Sequence, residues 1–461
     1  MSPSKVHGGC LMNNQLMCSS TSDALKLVNN QVKITFPTTQ VFRNYFAGSF
    51  ARNAGTLTLG TMIAQGIGIA VTPILSRIFT PEDYGLLALF SAVTAITATL
   101  VTLSYPIRIM LPDHNNDADK IVVLSLVLSF GIGILLLFMV MITPVGLIEL
   151  IGLGKINSWL PIAVMAGTAT AVIGIITYWL NRHAQYKKMA SLRVVQAVIN
   201  ACLGLLMGLL FIDDGLLYAQ TICLLLTALF FVYFGSLMIN PQSFRNLLYT
   251  AKIHNTAPRF IFPTAFTDVL TSQLPFILIT QWYAAESAGY FRMAYSLLAI
   301  PGALVGGAIA QVFYQRYAAA WPDALAAKAL LFKTWKVLTL LGIFPLLIIL
   351  IFGKEIFSLV LGAQWSEAGM MASVLSPMVF FSLVHSPTST TMITMGLERQ
   401  VLYLSLAVLI YRPAALYVGF LYENIYLGLF LFVVLEIIQM LVFQILALQK
   451  LNKNIHKMSR A

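Results

Sequence analysis

The sequence predicts an all-α polytopic membrane protein: twelve transmembrane helices in two six-helix lobes related by a pseudo-two-fold axis along the membrane normal, with a central cleft. Three observations lead there. Hydrophobic residues make up 59% and charged residues 10% of the 461, against about 25% charge in soluble domains, too little to cover a water-facing surface. Twelve runs are each long enough to cross a hydrocarbon core of about 30 Å, which takes about 20 apolar residues. None of the runs alternates in polarity as barrel strands do, so the spans are helices. The same composition excludes a soluble enzyme, a disordered scaffold and a nucleic-acid binder, despite a net charge of +11.

In the first half the runs fall at 55–77, 84–106, 121–143, 159–180, 192–211 and 216–239. In the second half they fall at 261–283, 288–314, 334–352, 369–391, 400–421 and 424–448. With the N-terminus inside, the inner segments hold 23 of the 28 Lys and Arg. The outer loops hold Arg77, Lys155 and Lys354, and Arg292 and Arg412 lie within spans. This asymmetry predicts that both termini are cytoplasmic, in a bacterial inner membrane. The expected organisation is a polar tail over 1–50, an N-lobe over 51–240, a C-lobe over 241–450 and a basic tail over 451–461.

The tail before Cys10 has no apolar segment of the kind a lipoprotein or secretory signal requires. Cys10, Cys18, Cys202 and Cys223 lack metal-ligand spacing, so no metal or cofactor is expected. The longest outer loops, 144–158 and 353–368, leave little room for a catalytic domain, and no phosphate-binding loop motif occurs. The reading is therefore a carrier and not an enzyme.

Residues 79–96 and 283–300 align at an offset of 204, with identities at Glu82/Glu286, Gly85/Gly289, Ala95/Ala299 and Ile96/Ile300. They stand at the same span junction of each half. Six spans per half is an even number, so the halves share one orientation and form a parallel repeat, an architecture suited to alternating access. At the first junction Thr80 can cap the second helix, Pro81 suits its first turn and Asp83 completes a capping box.

The stretch PILSRIFTPEDYGLLALFSAV, residues 73–93, carries Leu75, Ser76, Arg77, Pro81, Tyr84 and Gly85. It resembles the LSR-x-x-x-P-x-x-YG signature of the polysaccharide transporter family, which includes the O-antigen flippases of the multidrug/oligosaccharidyl-lipid/polysaccharide exporter superfamily. The likeness in span pattern runs from about residue 45 to 450. It implies a flippase that moves undecaprenyl-diphosphate-linked oligosaccharide, an O-antigen or other surface polysaccharide unit, from the inner to the outer leaflet. It also implies a lipid-linked oligosaccharide as partner, together with membrane lipids, with a polysaccharide polymerase and chain-length machinery as further candidates.

Polar residues within spans mark faces that avoid lipid. Thr61, Gln65, Gly68, Thr72 and Ser76 form a stripe on the first span, and Thr264, Asp268, Thr271 and Pro275 form one on the seventh. These read either as cleft lining or as hydrogen-bonding glue between helices. Four ionisable residues lie inside spans: Asp268, Arg292, Arg412 and Glu436. Arg412 and Glu436 flank the last turn at depths differing by about 5 Å, which suits a structural ion pair.

A diphosphate needs cationic donors, and Arg matches phosphate with paired hydrogen bonds. Arg52, Arg77 and Arg292, with Arg412 as the weaker candidate, are therefore the expected cationic cleft, and Asp268 the expected coupling site for an ion. His385 reads as packing within its span. Two competing functions stay open: a cation-coupled drug efflux carrier of the same superfamily, and a membrane glycosyltransferase or polymerase. The first would place carboxylates in the cleft of the first lobe, and the second would need catalytic acids on a large loop.

Overall fold

The computed structural model describes residues 49–236, 247–321, 323–389 and 391–458. Cys10, Cys18 and the tail over 1–48 lie outside the described residues, as do Arg245 and Arg460, and so does the side chain of Arg52. Met1–Gly55 and Thr56–Ala461 form separate units, and the architecture below is that of the second.

All regular structure among the described residues is helical, and eleven helices are long and apolar enough to cross a membrane. The first half supplies α1 (Ser49–Ile78), α2 (Pro81–Thr102), α3 (Asn115–Ile142), α4 (Leu160–Arg182), α5 (Tyr186–Leu209) and α6 (Gly215–Ser236). The second supplies α7 (Phe262–Trp282), α8 (Ala285–Pro301), α9 (Gly307–Ala320) and α10 (Ala324–Leu361), then α11 (Ser366–His385), α12 (Glu398–Leu421) and α13 (Ile425–Met458). The single span expected over 288–314 is split: α8 and α9 are joined by a π-helical turn, Gly302–Gly306. Pro301 has no N–H for the carbonyl one turn back, and the glycines after it permit the wider turn. The span expected to end at 352 runs on to Leu361 as α10, with non-helical angles at Phe352 (φ −112°, ψ 17°).

Helix ends follow local chemistry. Thr80 Oγ1 accepts the Asp83 N–H at 3.3 Å and Asp83 Oδ2 accepts the Thr80 N–H at 2.7 Å, so the capping box forms as expected, with Pro81 in the first turn. Asp323 caps α10 through Leu325 N–H at 2.9 Å and Ala326 N–H at 3.2 Å. Within the spans, hydroxyls turn back on their own helices: Thr61 donates to Leu57 O, Thr72 to Gly68 O, Thr264 to Phe260 O and Thr271 to Thr267 O. Each of these hydroxyls has an acceptor within its own turn, and Thr61 Oγ1 also accepts from Arg193 Nη1 of α5, so at that position the stripe does join two helices.

The buried side chains show how the halves meet. One large apolar cluster takes Tyr84, Phe90 and Trp159 from the first half and Phe291, Trp365 and Phe432 from the second. A second cluster, around Ile121, Ile176 and Trp179, belongs to the first half alone. A third, around Tyr317, Leu331 and Leu451, belongs to the second half alone. The halves therefore share a core around the start of α2 and α8, while toward the opposite end each keeps a core of its own and a small cluster of Tyr105, Leu124 and Ala257 ties the joining segment to the first half.

The shared end is built on backbone contact between α2 and α8. A Cβ placed on Gly85 would stand 1.8 Å from the Ala285 carbonyl oxygen, and one on Gly289 would stand 1.8 Å from the Pro81 carbonyl oxygen. Gly289 follows Gly85 by 204 positions and Ala285 follows Pro81 by the same number, so the crossing is reciprocal and obeys the repeat read in the sequence. No side chain separates the two helices at this point. Gly85→Ala and Gly289→Ala are each expected to cost about 2 kcal/mol or more, because the obstacle is backbone. Gly66→Ala, which meets nothing within 4 Å, should change stability by less than about 1 kcal/mol. Thermal unfolding of the three purified variants in one detergent checks this; equal melting temperatures would refute the close crossing.

Candidate functional site

Beside the glycine crossing, helix ends of one half are bonded to loops of the other. Ser76 Oγ, at the end of α1, donates to Leu361 O at 3.0 Å. Gln364 Nε2 and Trp365 Nε1 both donate to Ser76 O, at 2.6 and 2.7 Å. Tyr84 and Tyr290 meet the Trp365 ring edge-on, at centroid distances of 5.1 and 6.1 Å. On the reciprocal side, Gln281 Nε2 at the end of α7 donates to Leu150 O at 3.1 Å. The matched loops turn at glycines in the left-handed region, Gly152 (φ 82°) and Gly362 (φ 116°). Of the LSR…P…YG stretch, Ser76, Pro81, Tyr84 and Gly85 thus make contacts at this seal and Leu75 packs against the shared cluster, while Arg77 is exposed.

Ser76 tops the polar stripe of α1 and bonds to the second half. At the other end of that stripe, Arg193 of α5 donates from Nη1 to Thr61 Oγ1 at 2.6 Å while remaining exposed. Sequence reasoning counted Arg193 only as a topology charge. Its position one residue inside an apolar run was the available signal, but the partner lies 132 residues away.

The arginines expected to share one cleft take separate places. Arg77 is exposed at the sealed end, beside Gly362. Arg292 lies within the α2–α8 crossing, with Nη1 3.5 Å from Leu87 O, and does not reach out to the surface. Asp268 is exposed on α7, one turn before Ser272, and its carboxylate makes no hydrogen bond or ion pair among the described residues. His385 packs edge-on against Phe443 at 4.7 Å.

Arg412 faces a cavity of about 350 Å³ lined wholly by the second half, from α7, α8, the π turn, α11, α12 and α13. Arg412 Nε donates to Glu436 Oε1 at 2.6 Å, and Nη1 donates to Thr271 O at 2.7 Å. That carbonyl is free because Pro275, four residues on, has no N–H to give it. Tyr411 contributes its hydroxyl, 2.9 Å from Glu436 Oε1 and 2.8 Å from Gln439 Oε1. Helices around the cavity are interrupted by Pro275, Pro301, Pro377 and Pro413, whereas Pro73 is the one helix-internal proline among the described residues of the first half.

The segment joining the halves packs on the first. Tyr105 OH donates to Ala251 O at 3.4 Å, and Arg108 Nη2 donates to Thr256 Oγ1 at 2.5 Å. Nearby His254 is held below its usual pKa, chiefly by burial and further by the Arg108 charge. Among the described residues, no group of three or more His, Cys, Asp or Glu is arranged to hold a metal ion.

The chain is similar to the succinoglycan biosynthesis transport protein ExoT of Rhizobium meliloti (strain 1021), with 22% identity over 351 residues. The match covers 72% of this chain and spans 66%, about two thirds, of that relative's length. In fold it is similar to an inward-facing multidrug resistance MATE family transporter of the MOP superfamily, at a TM-score of 0.61 and 15% identity, covering 86% of this chain and 95% of that one. It is also similar to a MOP superfamily transporter from Pyrococcus furiosus Vc1 (DSM3638), described as having a binding pocket of reverse polarity. There the TM-score is 0.53 at 14% identity, with 87% and 95% of the two chains covered. The profile of one family, described as polysaccharide biosynthesis protein, matches residues 74–370, and this multi-pass membrane protein belongs to that family.

Proposed function

We propose that the protein is a flippase, not an enzyme, that carries undecaprenyl-diphosphate-linked oligosaccharide from the inner to the outer leaflet by alternating access. One observation carries the reading: the halves share a core around the start of α2 and α8, while toward the opposite end two further clusters each stay within one half, where Arg193 of α5 stands exposed against Thr61 in the polar stripe of α1. A lipid-linked saccharide has a charged, hydrated head that the bilayer core rejects and a tail that belongs in it. A gap open on one side accepts that head while the tail stays in lipid. With the orientation given by the basic residues, the separate ends face the cytoplasm, where the cargo is assembled. The family's link to polysaccharide biosynthesis and the transport role in the relative's name support the same cargo class.

Arg193 at the inner end and Arg77 at the sealed end are the exposed donors available to phosphate oxygens, with Arg52 and the crossing residue Arg292 as the remaining candidates from the sequence. Asp268 is available to an ion that couples the cycle. The drug-efflux alternative lacks a carboxylate well inside the first-half spans. Asp119, in the first turns of α3, is occupied by the Trp179 indole N–H at 2.9 Å.

Two measurements test the proposal. In a strain deleted for this gene, surface polysaccharide should disappear and return with the wild-type protein. Arg193→Ala, Arg77→Ala, Arg292→Ala and Arg52→Ala should each lower export at least about tenfold at equal membrane levels, the worth of one lost charged hydrogen bond. Full export by all four variants would remove the cationic path, and a deletion strain with normal polysaccharide would remove the flippase. In a cysteine-free background, Thr61→Cys should react with an impermeant thiol reagent added from the cytoplasmic side. Ser76→Cys, buried at the seal, should react from neither side until substrate drives turnover.

A further inference from the structure

The Arg412–Glu436 pair is an unusual way to fill a cavity wall. Two charges removed from water cost several kcal/mol, and apolar side chains of similar size usually hold such a position as well or better. Here Glu436 is 3% exposed and its Oε1 receives both the Arg412 and the Tyr411 donors. The Arg412 hydrogen bonds run from Nε and Nη1, and the Nη2 edge donates to no described residue. The remaining wall is largely apolar, with Phe276, Phe291, Met378 and Met440 among its lining residues and the Phe432 ring 5.7 Å from the guanidinium carbon. At about 350 Å³, the cavity lies in the size range of small-molecule sites, about 300–1,000 Å³. A charged donor edge set in an apolar chamber matches an anionic head group attached to an apolar tail.

We propose that this second-half cavity is a binding site for a lipid phosphate, held by Arg412, with Glu436 as a resident counter-ion that takes up a proton when the phosphate displaces it. The site is separate from the path between the halves, and it rests on the flippase reading only for its role in transport. While Glu436 is ionised the pair is neutral overall and attracts an anion weakly. Once Glu436 is protonated, Arg412 is a free cation still anchored by the Thr271 carbonyl. Binding of phosphate and binding of a proton therefore favour one another. The ionisable groups facing Glu436 are Arg412 and Tyr411 from α12 and Tyr295 from α8, with Gln439 beside it on α13. From α7 comes the Thr271 carbonyl, and α11 brings Ser382 and Ser386 to the lining, while its His385 turns to Phe443. A carboxylate so surrounded has one strong partner to lose.

The test is titration of the purified full-length protein with farnesyl monophosphate, read by calorimetry between pH 5 and 8, for wild type, Glu436→Gln and Arg412→Ala. Glu436→Gln should bind more tightly than wild type at pH 8. The ratio of the wild-type to the Glu436→Gln Kd, which cancels the titration of the phosphate itself, should fall about tenfold per pH unit on acidification while one proton is taken up. Arg412→Ala should bind about 10- to 100-fold more weakly at every pH. A purely structural pair predicts a flat ratio, and a flat ratio or undiminished binding by Arg412→Ala overturns the proposal.

Because Arg412→Ala leaves a buried carboxylate, the double variant Arg412→Met/Glu436→Leu serves as the folded comparison. It should keep the wild-type melting temperature and lose binding, and retained binding would also overturn the proposal. Competition by dihexanoyl phosphatidylglycerol as strong as by farnesyl diphosphate would assign the site to membrane phospholipid; preference for the prenyl compound would assign it to the cargo lipid. Absent binding with export intact defeats this site alone, whereas normal polysaccharide in the deletion strain defeats the flippase and leaves the binding result standing.

Discussion

The rest of the structure depends on the contact between two helix backbones at Gly85 and Gly289. A carbonyl oxygen occupies the place where a side chain would otherwise begin on each helix, so α2 and α8 meet with nothing between them. Around that point the Trp365 indole, the two tyrosine rings and the Ser76 hydrogen bonds close one end of the molecule. In lipid there is no hydrophobic drive to bring helices together, so close packing by small residues and hydrogen bonds must do it. Both are concentrated at this end. At the opposite end the second cluster stays within the first half and the third within the second, and the segment that joins the halves is bonded to the first through Tyr105 and Arg108.

The seal is also reversible in principle because of what it is made of. It has no inter-half ion pair among the described residues and no deep interdigitation of large side chains at the crossing itself. Its hydrogen bonds run from side chains to carbonyls at helix ends, groups that water can satisfy once the halves part. A contact of this kind can open without leaving a buried charge behind.

The halves differ in how they treat the polar backbone. The first keeps nearly unbroken helices around a dense core. In the second, prolines release carbonyls, and nearby donors take them up: Arg412 serves Thr271 O ahead of Pro275, and Ser376 Oγ serves Ser373 O ahead of Pro377. Broken helices survive in a membrane only where such partners exist. The second half therefore holds a charged pair in the wall of a largely apolar cavity.

Composition and run length were enough to determine the helical class and, for eleven of the twelve runs, the position of a long apolar helix, because the cost of exposing polar groups to hydrocarbon acts residue by residue; the distribution of Lys and Arg gives the expected orientation. The capping box at Thr80 and the 204-residue repeat were legible for the same reason: both are written in local spacing. The break at 302–306 was not, since an apolar run with a proline and glycines reads like any other span, and whether it bends depends on what packs beside it. Nor could the sequence say that Arg193 meets Thr61, that Arg292 lies inside a helix crossing, or that Arg412 borders a cavity away from the other arginines. Which face of a helix meets which neighbour is decided by packing between segments a hundred or more residues apart. Spacing along the chain carries no record of that choice.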